Sequence, residues 1–296
     1  MTTTHDLTLP TTSPPRRQAD LSWVRKVLLT LAVITVLIIS LAPVLWQVLT
    51  SFKVNEDISA VPNVYFPTRL TLDHYIELFT RRPFFRYILN SAFVSITSTL
   101  VCLAIGTPAA YALARLRPLG SKIILAGVMI VTLFPGILLF LGLIEVVQAL
   151  HLGNNYLALI IPYTAINLPL TILVLRSFFQ QLPKDLEDSA RVDGYNTWGM
   201  LLKILLPMTI PAIVTTGILA FISAWNEFIF ALTFITQEDM KTIPVAASQI
   251  GGASVFEIPY GPIAAATVLG TLPLVILVLL FQRKIVQGLT AGAVKG

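Results

Sequence analysis

A chain of 296 residues that is 55% hydrophobic and 12% charged, with a mean hydropathy of +0.81, is not a water-soluble domain; such domains carry about 25% charged residues. A net charge of +5 raises nucleic-acid binding, but no basic patch carries base-reading or stacking groups, so that class is excluded. The one cysteine, Cys102, excludes an internal disulfide, and His5, His74 and His151 are too scattered to form a metal-ligand pair.

The first twenty or so residues, MTTTHDLTLPTTSPPRRQAD, are rich in Thr and Pro and poor in apolar groups, which predicts a disordered tail over 1–22. Six apolar runs come next, at about 27–50, 88–115, 123–147, 157–179, 208–235 and 263–281. Each approaches or exceeds the ~20 residues a helix needs to cross a bilayer. The runs are too long for barrel strands. The expected fold is all-α: a polytopic membrane protein of six transmembrane helices over 23–282, then a C-terminal tail over 283–296. The first run is too long for the core of a cleaved signal and reads as an uncleaved anchor.

With both termini in the cytoplasm, 14 of the 20 Lys and Arg fall on the inner side, as the positive-inside rule requires. That reads as a multi-pass membrane chain in contact with lipid, with both termini expected on the inner side. It also places the most polar stretch of the second half, LEDSARVDGYNTWGMLLKILLPMTIP, in an inner loop spanning about 181–204. LPKDLEDSARVD reads as a short helix with acids early and Arg191 late, matching the helix dipole. Leu186, Ser189, Ala190 and Asp193 share a face by spacing. Gly194 permits a sharp turn, and Asn196 or Thr197 can cap a second helix. The pattern fits a protruding foot, and equally an amphipathic helix lying on lipid.

The spacing carries a resemblance. In the triplet DSA, Asp188 to Ala190, an acid precedes two small residues. Three residues separate the triplet from Gly194, nine more separate Gly194 from Ile204, and Leu206-Pro207 come after one. This resembles the cytoplasmic signature of ABC importer permeases, with Asp188 for the usual Glu and Ser189 for the usual Ala. AWNEFIFAL at 224–232, PVA at 244–246, NSAFVS at 90–95, AAYALARL at 109–116 and the terminal GLTAGAVKG are similar to the carbohydrate branch. They most resemble the second permease of maltose- and trehalose-type importers. The resemblance implies a type I permease fold and a coupling helix made of Glu187, Asp188, Ser189, Ala190, Asp193 and Gly194. It implies a second homologous permease, an ATPase dimer, an extracytoplasmic sugar-binding protein and a sugar substrate, with an α-linked disaccharide or related glucoside expected.

The residues themselves show no catalytic constellation, and no Gly-Lys pair occurs to build a phosphate loop. The chain is therefore expected to be no enzyme and to bind no cofactor, ATP and Mg being held by partner ATPases. An ion-coupled carrier is the alternative, although no internal repeat of the kind such carriers show is visible. Trp225, Asn226 and Glu227 are polar or amphipathic groups at membrane depth; they read as path-lining residues or, slightly favoured, as structural groups joining helices. In the outer loop, about 236–262, Gln249, Gly251 and Gly252 are expected at a flexible tip. The resemblance implies that this tip reaches the binding protein, and that the C-terminal tail enters the ATPase interface in extended form.

Overall fold

The computed structural model describes residues 22–251 and 258–291, without the side chains of Ser22, Ile137 and residues 283–291. The N-terminal tail, Gly252 and the last five residues lie outside this range. Two units are distinguished, one ending at Trp46 and one beginning at Gln47. Helix α1 (Ser22–Ser51) begins in the first; its side chains from Val27 to Leu45 are almost all apolar and exposed.

The second unit carries α2 (Asn55–Ile58), α3 (Asp73–Arg81) and α4 (Phe84–Tyr111), which runs into a π-helical turn over Ala112–Leu116. Then come α5 (Ser121–Leu133), α6 (Gly136–Ala149), α7 (Leu157–Gln181), α8 (Asp185–Val192) and α9 (Thr197–Met200). A second π-helical turn, Leu201–Leu205, leads into α10 (Leu206–Trp225). The chain closes with α11 (Ile229–Phe234), a single 3-10 turn, α12 (Ile243–Ser248) and α13 (Tyr260–Ala291). The only pairing of β type among the described residues is an isolated bridge between Lys53 and Leu70.

Among the described residues, five helices are long and apolar enough to cross a membrane: Trp23–Ser51, Phe84–Leu116, Leu157–Gln181, Thr197–Trp225 and Tyr260–Gln282. The third expected span is not one rod. It bends by 103° between Ser121–Leu133 and Leu138–Ala149. The cause is Pro135. Its ring disfavours the α region in the residue before it, and Phe134 is extended, at φ −72° and ψ 137°.

The packing of α4 on α7 shows that this bent pair still crosses. Asn90 accepts from the Tyr156 hydroxyl at 2.8 Å, the Ser98 carbonyl from Thr164 at 3.3 Å, and Cys102 meets Thr171 at 3.3 Å. Arg115 donates to the Leu182 carbonyl. The separation along the chain stays nearly constant at 66, 66, 69 and 67 residues. The two helices are therefore parallel. A chain leaving the far end of α4 must return to the near end before starting α7, so α5 and α6 together make one crossing.

Small and hydroxylated residues let these helices approach closely, as interfaces in lipid favour. Ser91, Ser95, Ser98, Thr164, Thr171, Thr215 and Thr216 are all buried. At Gly106 α4 and α7 approach closely: a Cβ there would lie 2.7 Å from the Thr171 methyl.

The fifth span also departs from expectation. It begins earlier, because α9, the π turn and α10 run on from Thr197, and it ends at Trp225 rather than continuing to Ile235. At the other end of the chain, the backbone of α13 stays helical through Ala291, so the first part of the expected tail is helix rather than extended chain.

Candidate functional site

The loop between α7 and α10 folds as a foot at the far ends of α4 and α7. Three acids, Asp185, Glu187 and Asp188, sit in the first turn of α8, where they complement the helix dipole. Gly194 ends the helix at φ +82°, a left-handed conformation that costs a residue with a Cβ roughly 1–2 kcal/mol. Its N–H donates to the Arg191 carbonyl at 3.1 Å and that of Tyr195 to the Ala190 carbonyl at 3.0 Å. These two bonds form a Schellman cap. Asn196, not Thr197, caps α9, its side chain accepting from the Gly199 N–H at 2.7 Å. Lys203 lies over the Tyr195 ring at 5.6 Å. Replacing Asn196 by Ala should cost about 1 kcal/mol and leave the Gly199 amide open; loss of hydrogen-exchange protection at that amide is the check.

The foot has two faces. Glu187 and Ala190 turn inward, 7% and 1% exposed, and Leu186 is half-buried. Ala190 packs with Ala110, Tyr111, Ala114, Phe179, Met200 and Leu205. Glu187 Oε1 lies 2.9 Å from Arg115 Nε, both side chains almost wholly covered. Breaking such a pair by removing one partner costs about 3–5 kcal/mol, since the remaining charge is stranded. The outward face carries Asp185, Asp188, Ser189, Val192 and Asp193, which line one shallow depression. Val192 is 88% exposed. That depression combines three acids with one exposed apolar side chain. Of the expected coupling residues, then, Asp188, Ser189 and Asp193 face out, Glu187 and Ala190 face in, and Gly194 shapes the turn.

At the opposite end Trp225, Asn226 and Glu227 do not form one surface. Trp225 is buried and its Nε1–H donates to the Gly270 carbonyl of α13 at 3.0 Å. Asn226 is exposed and donates to the Ile222 carbonyl of its own helix. Glu227 stands at the break between α10 and α11. Its carboxylate accepts from the Tyr163 hydroxyl at 2.6 Å and from the N–H groups of Phe230 at 3.0 Å and Ala231 at 3.3 Å. It thereby caps α11 and ties it to α7.

The same end holds polar ties that composition alone did not reveal. Asn90 donates to the carbonyls of Asp239 and Lys241, both at 2.9 Å, and Ser91 accepts from the Ile243 N–H at 2.8 Å. Asn154 accepts from the N–H groups of Thr236 and Gln237. The only signal for Asn90 and Ser91 was the NSAFVS stretch, quoted for its resemblance. Val245 and Ala246 of the PVA stretch are buried on α12. Gln249 caps α12, and Gly251 lines a cleft of about 900 Å3 with Asn55, Glu77, Arg81, Arg82 and Tyr260; Gly252 lies outside the described residues.

Glu238 in this region is held below the ordinary glutamate range, first by Lys241 and then by the Tyr87 hydroxyl, which donates at 2.5 Å. A carboxyl whose folded pKa is depressed adds stability that is present at neutral pH and lost as pH falls through the folded value. Glu238→Gln should therefore flatten the acid limb of a thermal-stability profile below about pH 4.3, the ordinary value. The effect is small, because the Glu238 side chain is 57% exposed and screened.

No group of three His, Cys, Asp or Glu that could hold a metal occurs among the described residues. Helices long and apolar enough to cross a membrane, packed through small and hydroxylated residues, define a polytopic membrane protein. Residues 103–291 match the family described as the binding-protein-dependent transport system inner membrane component. The chain belongs to that family. It is 40% identical over 260 residues to the sulfoquinovosyl glycerol transport system permease protein of Agrobacterium fabrum, covering 88% of this chain and 90% of that one. It is 39% identical over 274 residues to the trehalose/maltose transport system permease protein of Thermococcus litoralis, covering 92% and 98%. With the trehalose transport system permease protein of Mycobacterium tuberculosis it shares 37% over 257 residues, covering 87% and 93%. Its fold matches a subunit of a bacterial ABC transporter involved in import of alginate, with a TM-score of 0.77 at 20% identity over 90% of this chain and 98% of the other. The family match gives no support to the ion-coupled alternative.

Proposed function

We propose that this chain is one of two pore-forming subunits of an ATP-driven importer for a sugar, an α-linked disaccharide or related glucoside. It pairs with a second, homologous permease, since six spans cannot easily enclose a sugar path alone. Two ATPase subunits bind ATP and Mg on the foot side, and an extracytoplasmic binding protein delivers the sugar to the other side. Both termini then lie in the cytoplasm. Relatives named for trehalose, for trehalose and maltose, and for sulfoquinovosyl glycerol support a glycoside as cargo.

The observation that carries this reading is the foot. Its inner face is anchored by a buried ion pair and its outer face is acidic and unoccupied among the described residues. Closure of the ATPase dimer would push on that outer face, and the anchored inner face would carry the push into α4 and α7. The test is uptake into proteoliposomes holding the assembled transporter, with ATP enclosed and ion gradients collapsed. Trehalose and maltose are offered with the cognate binding protein, beside an anionic glycoside. ATP-dependent uptake of a disaccharide is the expected result. Uptake that tracks an imposed ion gradient and ignores ATP would refute the reading, and uptake of the anionic glycoside alone would correct the cargo.

A further inference from the structure

The foot meets the rest of the chain by two routes. One is covalent, through α7 before it and α9 after it. The other is lateral and runs through one side chain. Arg115 sits in the π-helical turn that ends α4. Such a turn accommodates one extra residue, rotating the side chains beyond it by roughly 100°, one residue's share of an α-helical turn. From there its Nε lies 2.9 Å from Glu187 Oε1 in α8, a close ion pair without hydrogen-bond alignment, and its Nη2 donates to the carbonyl of Leu182, where α7 ends. One planar guanidinium thus joins the ends of three helices. Side-chain exposures of 8% and 9% keep the pair out of water.

A buried ion pair is weak evidence of stabilisation, because apolar residues of the same volume often do as well. What Arg115 adds is a directed tie to α7 through its Nη2 donor, beside a close charge contact with Glu187, a combination that a Lys point charge does not reproduce. The neighbouring apolar contacts of Ala110, Tyr111 and Ala114 have no such direction. We propose, resting on the importer reading above, that Arg115 is a positioning residue for energy coupling. It clamps the foot to α4, so that displacement of the foot moves α4 and the parallel α7 as one body. Without it, a push on the foot reaches α4 only through nondirectional packing. Arg191 is not an equivalent. It approaches Glu187 at 3.9 Å and Asp188 at 3.4 Å, but its side chain is 60% exposed.

The experiment uses the whole transporter in proteoliposomes and reads sugar taken up per ATP hydrolysed, beside assembly and basal hydrolysis. Arg115→Met and Arg115→Lys should assemble and hydrolyse ATP, with uptake per ATP reduced about tenfold, within the usual range of coupling energies. Arg191→Ala should leave the ratio unchanged. Tyr111→Phe removes a buried hydroxyl that has no hydrogen-bond partner among the described residues, and serves as a control for disturbance of the same corner. It too should leave the ratio unchanged. The reversed pair Arg115→Glu with Glu187→Arg should recover part of the coupling. An assembled Arg115→Met transporter with normal uptake per ATP overturns the proposal. Where Arg115→Met fails to assemble, the reversed pair decides: recovered assembly with coupling no better than in Arg115→Lys also overturns it. A wild-type transporter with no ATP-dependent uptake sinks the importer reading itself, an outcome visible before any variant is compared.

Discussion

Replacing Gly194 by Val should abolish most transport while leaving the chain inserted and folded. The residue lies at φ +82°, in the left-handed region, and a β-branched side chain there is a strong outlier. No atom lies within 4 Å of where a Cβ would be, so the penalty is conformational and not a clash. Holding such a conformation costs on the order of 1–3 kcal/mol. The foot can avoid that by opening its Schellman cap, which would swing Asp188, Ser189 and Asp193 away from their present face. Because the penalty is one of backbone shape, Asn should be tolerated at this position and Ala should be intermediate. Uptake measured across the series Gly, Asn, Ala, Val should fall in that order. A Val variant with normal uptake would show that the turn does not shape a docking surface.

The second large effect belongs to Glu227. Its carboxylate satisfies a tyrosine hydroxyl and two backbone N–H groups, and each buried group left unpaired costs about 1–3 kcal/mol. Glu227→Ala should therefore lower both the yield of folded protein and uptake. Gln keeps the length and one acceptor oxygen and should retain most of both. Asp keeps the charge but is a methylene too short to reach Tyr163 and the α11 amides together, and should be worse than Gln. If Asp restored uptake that Gln lost, charge in the path, and not the capping of α11, would be the reason for this residue.

The apolar, all-helical character was legible from composition, since apolar runs near twenty residues form helices in lipid. The breaks were written in the same runs but read as continuous. Phe134-Pro135 carries a local rule that apolarity masks. The Trp225-Asn226-Glu227 triplet signalled polar groups at depth without saying that Glu227 would cap a new helix. At the foot, local rules served well: the acids of the first turn, the turn glycine and the Asn196 cap all depend on neighbours in the chain. Helical spacing put Leu186, Ser189, Ala190 and Asp193 on one face, whereas Leu186 and Ala190 turn toward the bundle and Ser189 and Asp193 away from it. Which side of a short helix faces in is set by a partner far along the chain. Glu187 turns inward because Arg115 waits there, and no spacing within the loop announces that. The ties of Asn90 and Asn154 to the outer loop were hidden for the same reason.

Docking of the outer face of α8 on an ATPase underlies both the importer reading and the role of Arg115. A single cysteine at position 189, in a Cys102→Ser background, tests it most directly in membranes holding the full transporter. Ser189 is exposed on the free face of the foot, so a short thiol-to-amine cross-linker should join it to the ATPase subunit, with a yield that changes between nucleotide-free and ATP-bound states. A Ser189→Cys residue that instead reacts freely with a lipid-soluble reagent, and gives no ATPase product in either state, would place the helix on the membrane surface and rule out docking.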